Sequence, residues 1–391
     1  MQRRMCRSYI FIPPDRGGRK LPTICSLATR ARGEDYKTVM PAAAETYSLG
    51  APVEIGKIEQ ELKKLWQEGE GAIARASLMN LAAYSEQPGS LKDNTQLMAK
   101  ITEDHACRAI VIEADCQSDE NCVEAWISAH CHVSRSGKKQ VCSEQISFLL
   151  KGGCATQLPS IILSNLDSDL PFYLWWQGEL HDPIDAQLWE WVDRFIYDSY
   201  GWKDFPAQMA LVEKAQREAK HRLTLCDLNW TRLDKFRLAL AQFFDHPASH
   251  HRLAKISKVR IDFAPAFRST ALLFVGWLAA RLNWQIDALK SPRELRFTGT
   301  SEQPIDVELR EHDGQPVHEV ALTSADVEFG VSYAKCGDLL EVSRVQTGEK
   351  RMPQLMPAGN DDPVSLISEE LIRGGPHHVY LNALNCVRDL L

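Results

Sequence analysis

The sequence has no apolar run long enough to cross a bilayer. Its most apolar helix candidate, Ala271 to Ala280, runs about ten residues between Arg268 and Arg281, half of the ~20 that a spanning helix needs. It reads instead as a buried core helix. There is no GxxxxGK[ST] loop, no GxSxG elbow and no CxxC pair. The motif evidence for a P-loop nucleotidase, an α/β-hydrolase or a CxxC redox or zinc module is therefore missing. Tyr9 to Ile12 is too short for the apolar core of a signal peptide. Internal repeats and low-complexity tracts are missing too.

Positive charge is also in short supply. Lys and Arg number 45 against 52 Asp and Glu, a net of −7 over 391 residues. Nothing in that balance suggests a chain that coats nucleic acid. What basic charge there is gathers early. Residues 1–39 hold nine Lys/Arg and three Asp/Glu, so the leader carries +6 and the remainder −13. Rich in Arg, Gly and Pro, residues 1–39 read as a basic, disordered leader, with Met1 and Met40 as alternative starts.

Beyond the leader the composition is that of an ordinary globular protein, 44% hydrophobic and 25% charged. Ile55, Ile58, Leu62 and Leu65 recur at helical spacing. A β-type run follows from Ala74 to Tyr84, then a helix from Leu91 to His105. Arg108–Asp115, Glu124–Val133 and Val141–Leu150 predict a β-meander, with a hairpin turn at Ser136–Lys139. From Leu158 onward helix and strand alternate, with strands at Pro171–Gly178 and Arg194–Asp198, which suggests parallel elements. Ala207 to Phe244 reads as mostly helical, broken at Asp227, which can cap the helix carrying Trp230. The last third predicts a strand at Leu253–Phe263, a helix from Pro265 to Trp284, five short antiparallel strands between Glu294 and Val345, and two terminal helices. The fold class is α/β, α+β overall: an N-terminal mixed sheet with flanking helices over residues 40–205, and a C-terminal antiparallel sheet with helices over 206–391.

No catalytic constellation emerges. Gly69–Ala74 satisfies GxGxxA, but a helix precedes it and a strand follows, the reverse of the strand–loop–helix context a dinucleotide requires. Asp167 and Asp169 sit at a helix end and read as a cap or turn. Three His and six Cys fall between His105 and Cys154. Cys131 lies on the opposite strand face from His130 and His132, so no metal site is assigned, and no cofactor. The eleven cysteines read as reduced cytosolic thiols. Cys116 and Cys122 are the candidate redox pair: they flank an acidic turn between two strands whose pairing would bring the sulfurs together. Trp175 and Trp176 are adjacent on a strand, so they point to opposite faces. They, Trp230 and Arg232 are the candidate partner-binding residues, with core packing the competing role for the tryptophans.

Five segments, in order, resemble the OpcA family of glucose-6-phosphate dehydrogenase assembly proteins. They are His105–Ile112, Val141–Ile146, Leu170–Gly178 (LPFYLWWQG), Asp227–Leu233 (DLNWTRL) and Gly276–Trp284. The likeness spans residues 50 to 391, and the basic leader departs from it. The resemblance implies a bacterial, cytoplasmic, non-catalytic protein that binds the glucose-6-phosphate dehydrogenase oligomer and activates it, supporting NADPH supply by the oxidative pentose phosphate pathway. It implies no nucleic-acid or membrane partner. The alternative is an enzyme acting on a sugar phosphate.

Overall fold

The computed structural model of the chain describes residues 37–38, 49–67, 73–133, 140–182, 185–219, 223–245, 247–291, 293–335, 337–346 and 352–390. The leader apart from residues 37 and 38, the glycines of the Gly69–Ala74 segment and the whole of the expected turn at Ser136–Lys139 lie outside the described residues.

Two mixed sheets with flanking helices build the molecule. The first uses β1 (Lys37–Thr38), β2 (Ala51–Pro52), β3 (Ile73–Arg75), β4 (Asn80–Ser85), β5 (Arg108–Asp115), β6 (Cys122–Val133), β7 (Gln140–Lys151), β8 (Phe172–Gln177), β9 (Arg194–Tyr197) and β10 (Thr224–Asp227). Their order is β1-β6-β7-β5-β4-β8-β9-β10, with β2 also on β6 and β3 on β7. From β7 through β10 the neighbours run parallel, whereas β6 runs antiparallel to β7. Parallel strands are covered on both faces, and β4 is buried at every residue.

Among the described residues the α-helices of five residues or more are α1 (Ile58–Gln67), α2 (Ser90–Asp104), α3 (Leu158–Ser164), α4 (Phe205–Glu218), α5 (Leu228–Arg232), α6 (Asp234–Gln242), α7 (Arg268–Leu282), α8 (Pro363–Ile372) and α9 (His378–Arg388). Alternation along β5 divides the core. Ala109 and Val111 join one apolar cluster with Leu91 and Met98 of α2 and Ile367 of α8. Ile110 and Ile112 join the other, which runs past α4, α7 and α9 to the inner face of the second sheet. Gly276 of α7 makes that passage possible. A Cβ there would lie 2.5 Å from the Ala383 carbonyl oxygen of α9.

The second sheet comprises β11 (Ile256–Phe263), β12 (Gln285–Ser291), β13 (Glu294–Thr298), β14 (Pro304–Glu311), β15 (Val317–Ser324), β16 (Val327–Tyr333), β17 (Leu339–Gln346) and β18 (Gln354–Pro357), in the order β12-β13-β14-β11-β15-β16-β17-β18. Its pairs are antiparallel except β11 with β14. Val259, Ile261 and Phe263 of β11 face the core. Its other face carries cross-strand ion pairs, among them Lys258–Glu308 at 3.2 Å and Arg260–Glu319 at 3.0 Å.

Two expectations need correction. The meander is absent, because β7 sits between β5 and β6. The connection from β5 to β6 instead crosses the end of β7 over Gly152 and Gly153. The Asn121 side chain accepts from the Gly153 amide, and a Cβ on Gly152 (φ +57°) would meet Asn121 and the Glu120 carbonyl. Cys116 and Cys122 therefore flank strands that do not pair. The disulfide of the structure joins Cys131 and Cys142, which oppose each other across β6 and β7. This also overturns uniformly reduced thiols. After residue 206 the first sheet takes one more strand, β10, which pairs with β9.

Candidate functional site: the cleft at the strand ends

The chain winds from β4 outward to β5 and β7, then returns to β8 on the far side of β4. That reversal is a topological switch point, and open α/β sheets take ligands in the crevice beyond the carboxyl ends of the strands there. A cleft of ≈ 330 Å³ lies at this place, lined by Ser90, Asn94, Trp175, Trp176, Asp198 and Arg232 among others. The roof comes from α8, which packs on α2 and α5 and adds Pro363 and Leu366.

The loop from β4 into α2 reads Ser85-Glu86-Gln87-Pro88-Gly89-Ser90. Only Gly89 is a glycine, and it needs to be, with φ at +84°. No side chain of the N-cap residue binds the first turn of α2. The Glu113 carboxylate from β5 does so instead. It accepts from the Gly89 amide at 3.0 Å, the Leu91 amide at 2.7 Å and, at a longer 3.4 Å, the Ser90 hydroxyl. Free amides at a helix start are where a nucleotide pyrophosphate binds in doubly wound folds. Here a buried carboxylate of the chain itself satisfies them. Glu86 is held as well, by the Tyr84 hydroxyl at 2.9 Å and His181 Nε2 at 3.2 Å. That hydrogen bond raises the His181 pKa against the opposing effect of burial. Asn94 and Gln177 exchange side-chain amide bonds at 2.7 and 3.0 Å, tying α2 to β8 across the switch point.

The two adjacent tryptophans divide as strand geometry requires. Trp175 is buried among the residues beneath α2, and Trp176 packs in a tilted pair, ring centres 4.2 Å apart, with Tyr84 of the opposite face. Both line the cleft, as does Arg232. Arg232 forks onto Asp198 at 2.7 and 3.2 Å and lies over the Tyr200 ring. Burial disfavours its charge, but the Asp198 bonds and charge outweigh that and its pKa is raised. Trp230 is not at the cleft. It is 3% exposed, packed on Tyr380, with the Arg237 guanidinium 3.5 Å from its ring centre. Cys122 is buried at the start of β6, opposite Lys151 of β7, with its thiol pKa raised by burial. Asp167 and Asp169 form a turn, with the Asp169 amide on Asp167 and the Asp167 amide on Asn80.

Below the cleft lies a buried polar network that the sequence reading did not foresee. Asp227 ends β10 and caps α5 through the Asn229 amide. It also accepts from the Ser199 amide at 3.0 Å, the Ser199 hydroxyl at 2.7 Å and the Tyr380 hydroxyl at 3.2 Å. Tyr380 in turn meets Tyr197 at 2.7 Å, and Asn229 accepts from Thr270 of α7 at 2.6 Å. Burial pushes the Asp227 carboxyl up to about 7, and the nearby Asp198 adds to the effect. Among the described residues one group could hold a metal ion: Cys226, Glu370 and His377, all buried.

The topology and the cleft define a two-sheet protein of the doubly wound α/β class whose helix amides at the switch point are capped from within. Two family descriptions match it. Residues 98–214 match the glucose-6-phosphate dehydrogenase subunit N-terminal domain, and residues 223–384 match the C-terminal domain of the same subunit. The chain belongs to this OpcA family. It is 24% identical over 361 residues to a Synechocystis sp. protein named as an OxPP cycle protein OpcA, covering 86% of this chain and 74% of that one. It is 24% identical over 309 residues to one of the same name from Synechococcus elongatus, covering 73% and 67%. Among solved structures, aldose–aldose oxidoreductase from Caulobacter crescentus matches over 81% of this chain and 96% of that one. Its identity is 11% and its TM-score 0.44, which bears on neither chemistry nor partner.

Proposed function

We propose that this chain is a non-catalytic partner of glucose-6-phosphate dehydrogenase, an assembly factor and allosteric activator acting beside that enzyme in the cytoplasm. Family membership supports the partner. The observation that carries the non-catalytic part is Glu113. Its carboxylate takes the α2 amides that a dinucleotide would otherwise occupy, so a nucleotide phosphate would have to displace a buried negative group.

The cleft is where the contact is proposed. Trp176 offers a half-buried aromatic and Arg232 a positioned guanidinium, two residue types that dominate binding energy at interfaces. To activate, the chain must bind the active arrangement of the dehydrogenase better than the inactive one. A typical coupling of 1–3 kcal/mol changes substrate affinity roughly 5- to 150-fold. Trp176→Ala and Arg232→Ala are expected to lose capture of the dehydrogenase in pull-downs. Folded variants that bind like the parent sink the assignment of these residues. Trp230→Ala reports packing rather than contact, because Trp230 is buried.

Redox control through Cys116 and Cys122 belongs to this proposal in one form only, a movement of loop 116–121, since β7 separates the strands they flank. Equal activation by the parent and by the double Ser variant, under oxidising and reducing conditions alike, ends it.

A further inference from the structure

Cys226 is the last residue but one of β10, Glu370 is on α8, and His377 precedes α9. They are 144 and 7 residues apart in sequence, yet their ligand atoms lie within 4.8 Å of one another. All three are buried, at 0%, 1% and 8% exposure. Glu370 Oε2 and both ring nitrogens of His377 are buried without a hydrogen-bond partner. Orphaned polar atoms are costly in an interior, and each calls for a reason. A His–Glu ion pair is a poor one. The nitrogen and oxygen stand 3.4 Å apart without hydrogen-bond geometry, and burial lowers the His377 pKa, favouring the neutral ring that a metal requires.

The outer atoms of the cluster are already fixed. Glu370 Oε1 accepts from Thr231 and, at 3.1 Å, from Arg373, which leaves Oε2 turned inward. Arg373 also pairs with Asp234. Arg194 Nη1 lies 3.7 Å from the Cys226 sulfur and donates to the Glu370 carbonyl at 3.3 Å, while Nη2 donates to the Gly375 carbonyl at 3.4 Å. Such neighbours orient ligands. Burial and the Glu370 charge hold the Cys226 thiol pKa well above its ordinary value against the opposing Arg194 charge, so it is the incoming ion that displaces the proton.

We propose that Cys226, Glu370 and His377 form a site for a divalent ion of the zinc class, supplying one sulfur, one oxygen and one nitrogen. That donor set suits zinc, and a fourth position is left for solvent. Ligands at about 2.0–2.3 Å from zinc stand roughly 3.5 Å apart, so against the 4.8 Å limit of the cluster the site is open by at most about 1.3 Å. Binding sends the Cys226 thiol proton to solvent and leaves the metal–thiolate bond. The ion clamps α8, the roof of the cleft, onto the edge of the first sheet.

The test uses the full chain. After treatment with chelator it is titrated with Co²⁺, then with Zn²⁺, and metal content is read by mass spectrometry. The expected result is one ion per chain, a thiolate-to-cobalt charge-transfer band and a rise in Tm. Cys226→Ser should lose the band and His377→Gln should weaken binding at least tenfold. Cobalt bound without the band, or a band that survives in folded Cys226→Ser, overturns the site. Should either variant fail to fold, the parent decides alone: no tight ion, or no thiolate band, overturns it.

Discussion

Cys226 and Asp227 are neighbours on one short strand, and they look into opposite kinds of interior. Asp227 meets two backbone amides and two hydroxyls, so its oxygens are fully used. Cys226 faces Glu370 and His377, where three buried atoms have no partner. One side is a finished polar network that joins β9, β10, α5, α7 and α9. The other has the geometry of a ligand set. The difference teaches that burial alone does not distinguish structure from site; the accounting of partners does.

Breaking the finished side should cost most. Asp227→Ala strands the Ser199 and Asn229 amides and the Tyr380 hydroxyl, and is expected to lose about 3–5 kcal/mol, read by urea unfolding. The same carboxyl sets a pH dependence. Its pKa is higher folded than unfolded, so the stability it brings is fully present at low pH. That stability is lost as pH rises from about 4 to about 7, by up to about 1.4 kcal/mol per unit. Asp227→Asn should flatten that fall, and the gap between variant and parent should grow across the window and level off above it. Glu113→Ala removes the cap of α2 and should cost about 1–2 kcal/mol, seen as a lowered urea midpoint. In metal-free buffer Cys226→Ser should change stability by less than about 1 kcal/mol, since a hydroxyl can still donate to the Thr224 carbonyl as the thiol does. A large loss there would erase the contrast with Asp227. Lys258→Ala, on the exposed outer face of the second sheet, should stay under about 1 kcal/mol.

Much of this was legible in the residues. An apolar run placed β5 and alternation placed β6, the capping role of Asp227 was visible beside a Trp-bearing helix, and Ala271–Ala280 read correctly as core. The order of strands was not legible. β7 enters between β5 and β6 because two glycines let a loop cross its end, and no periodicity announces a crossing. The disulfide was hidden by register. A turn spanning Ser136–Lys139 would set Cys131 opposite Glu144, but the observed pairing sets it opposite Cys142. β10 is four residues long and lay inside a helical reading. The cleft was half legible. Trp175, Trp176 and Arg232 meet there as candidates, while Glu113 reaches α2 from 22 residues away along a different strand, a distance no local motif encodes. The Cys226–Glu370–His377 group draws on segments too far apart for any ligand spacing to show.

The measurement that bears most directly on the central claim is steady-state kinetics of glucose-6-phosphate dehydrogenase with and without the purified chain. The chain alone should turn over no sugar phosphate. Added to the dehydrogenase it should lower the apparent KM several-fold, and Trp176→Ala should lose that effect. Turnover by the chain alone, or a dehydrogenase whose kinetics do not change, would contradict the account.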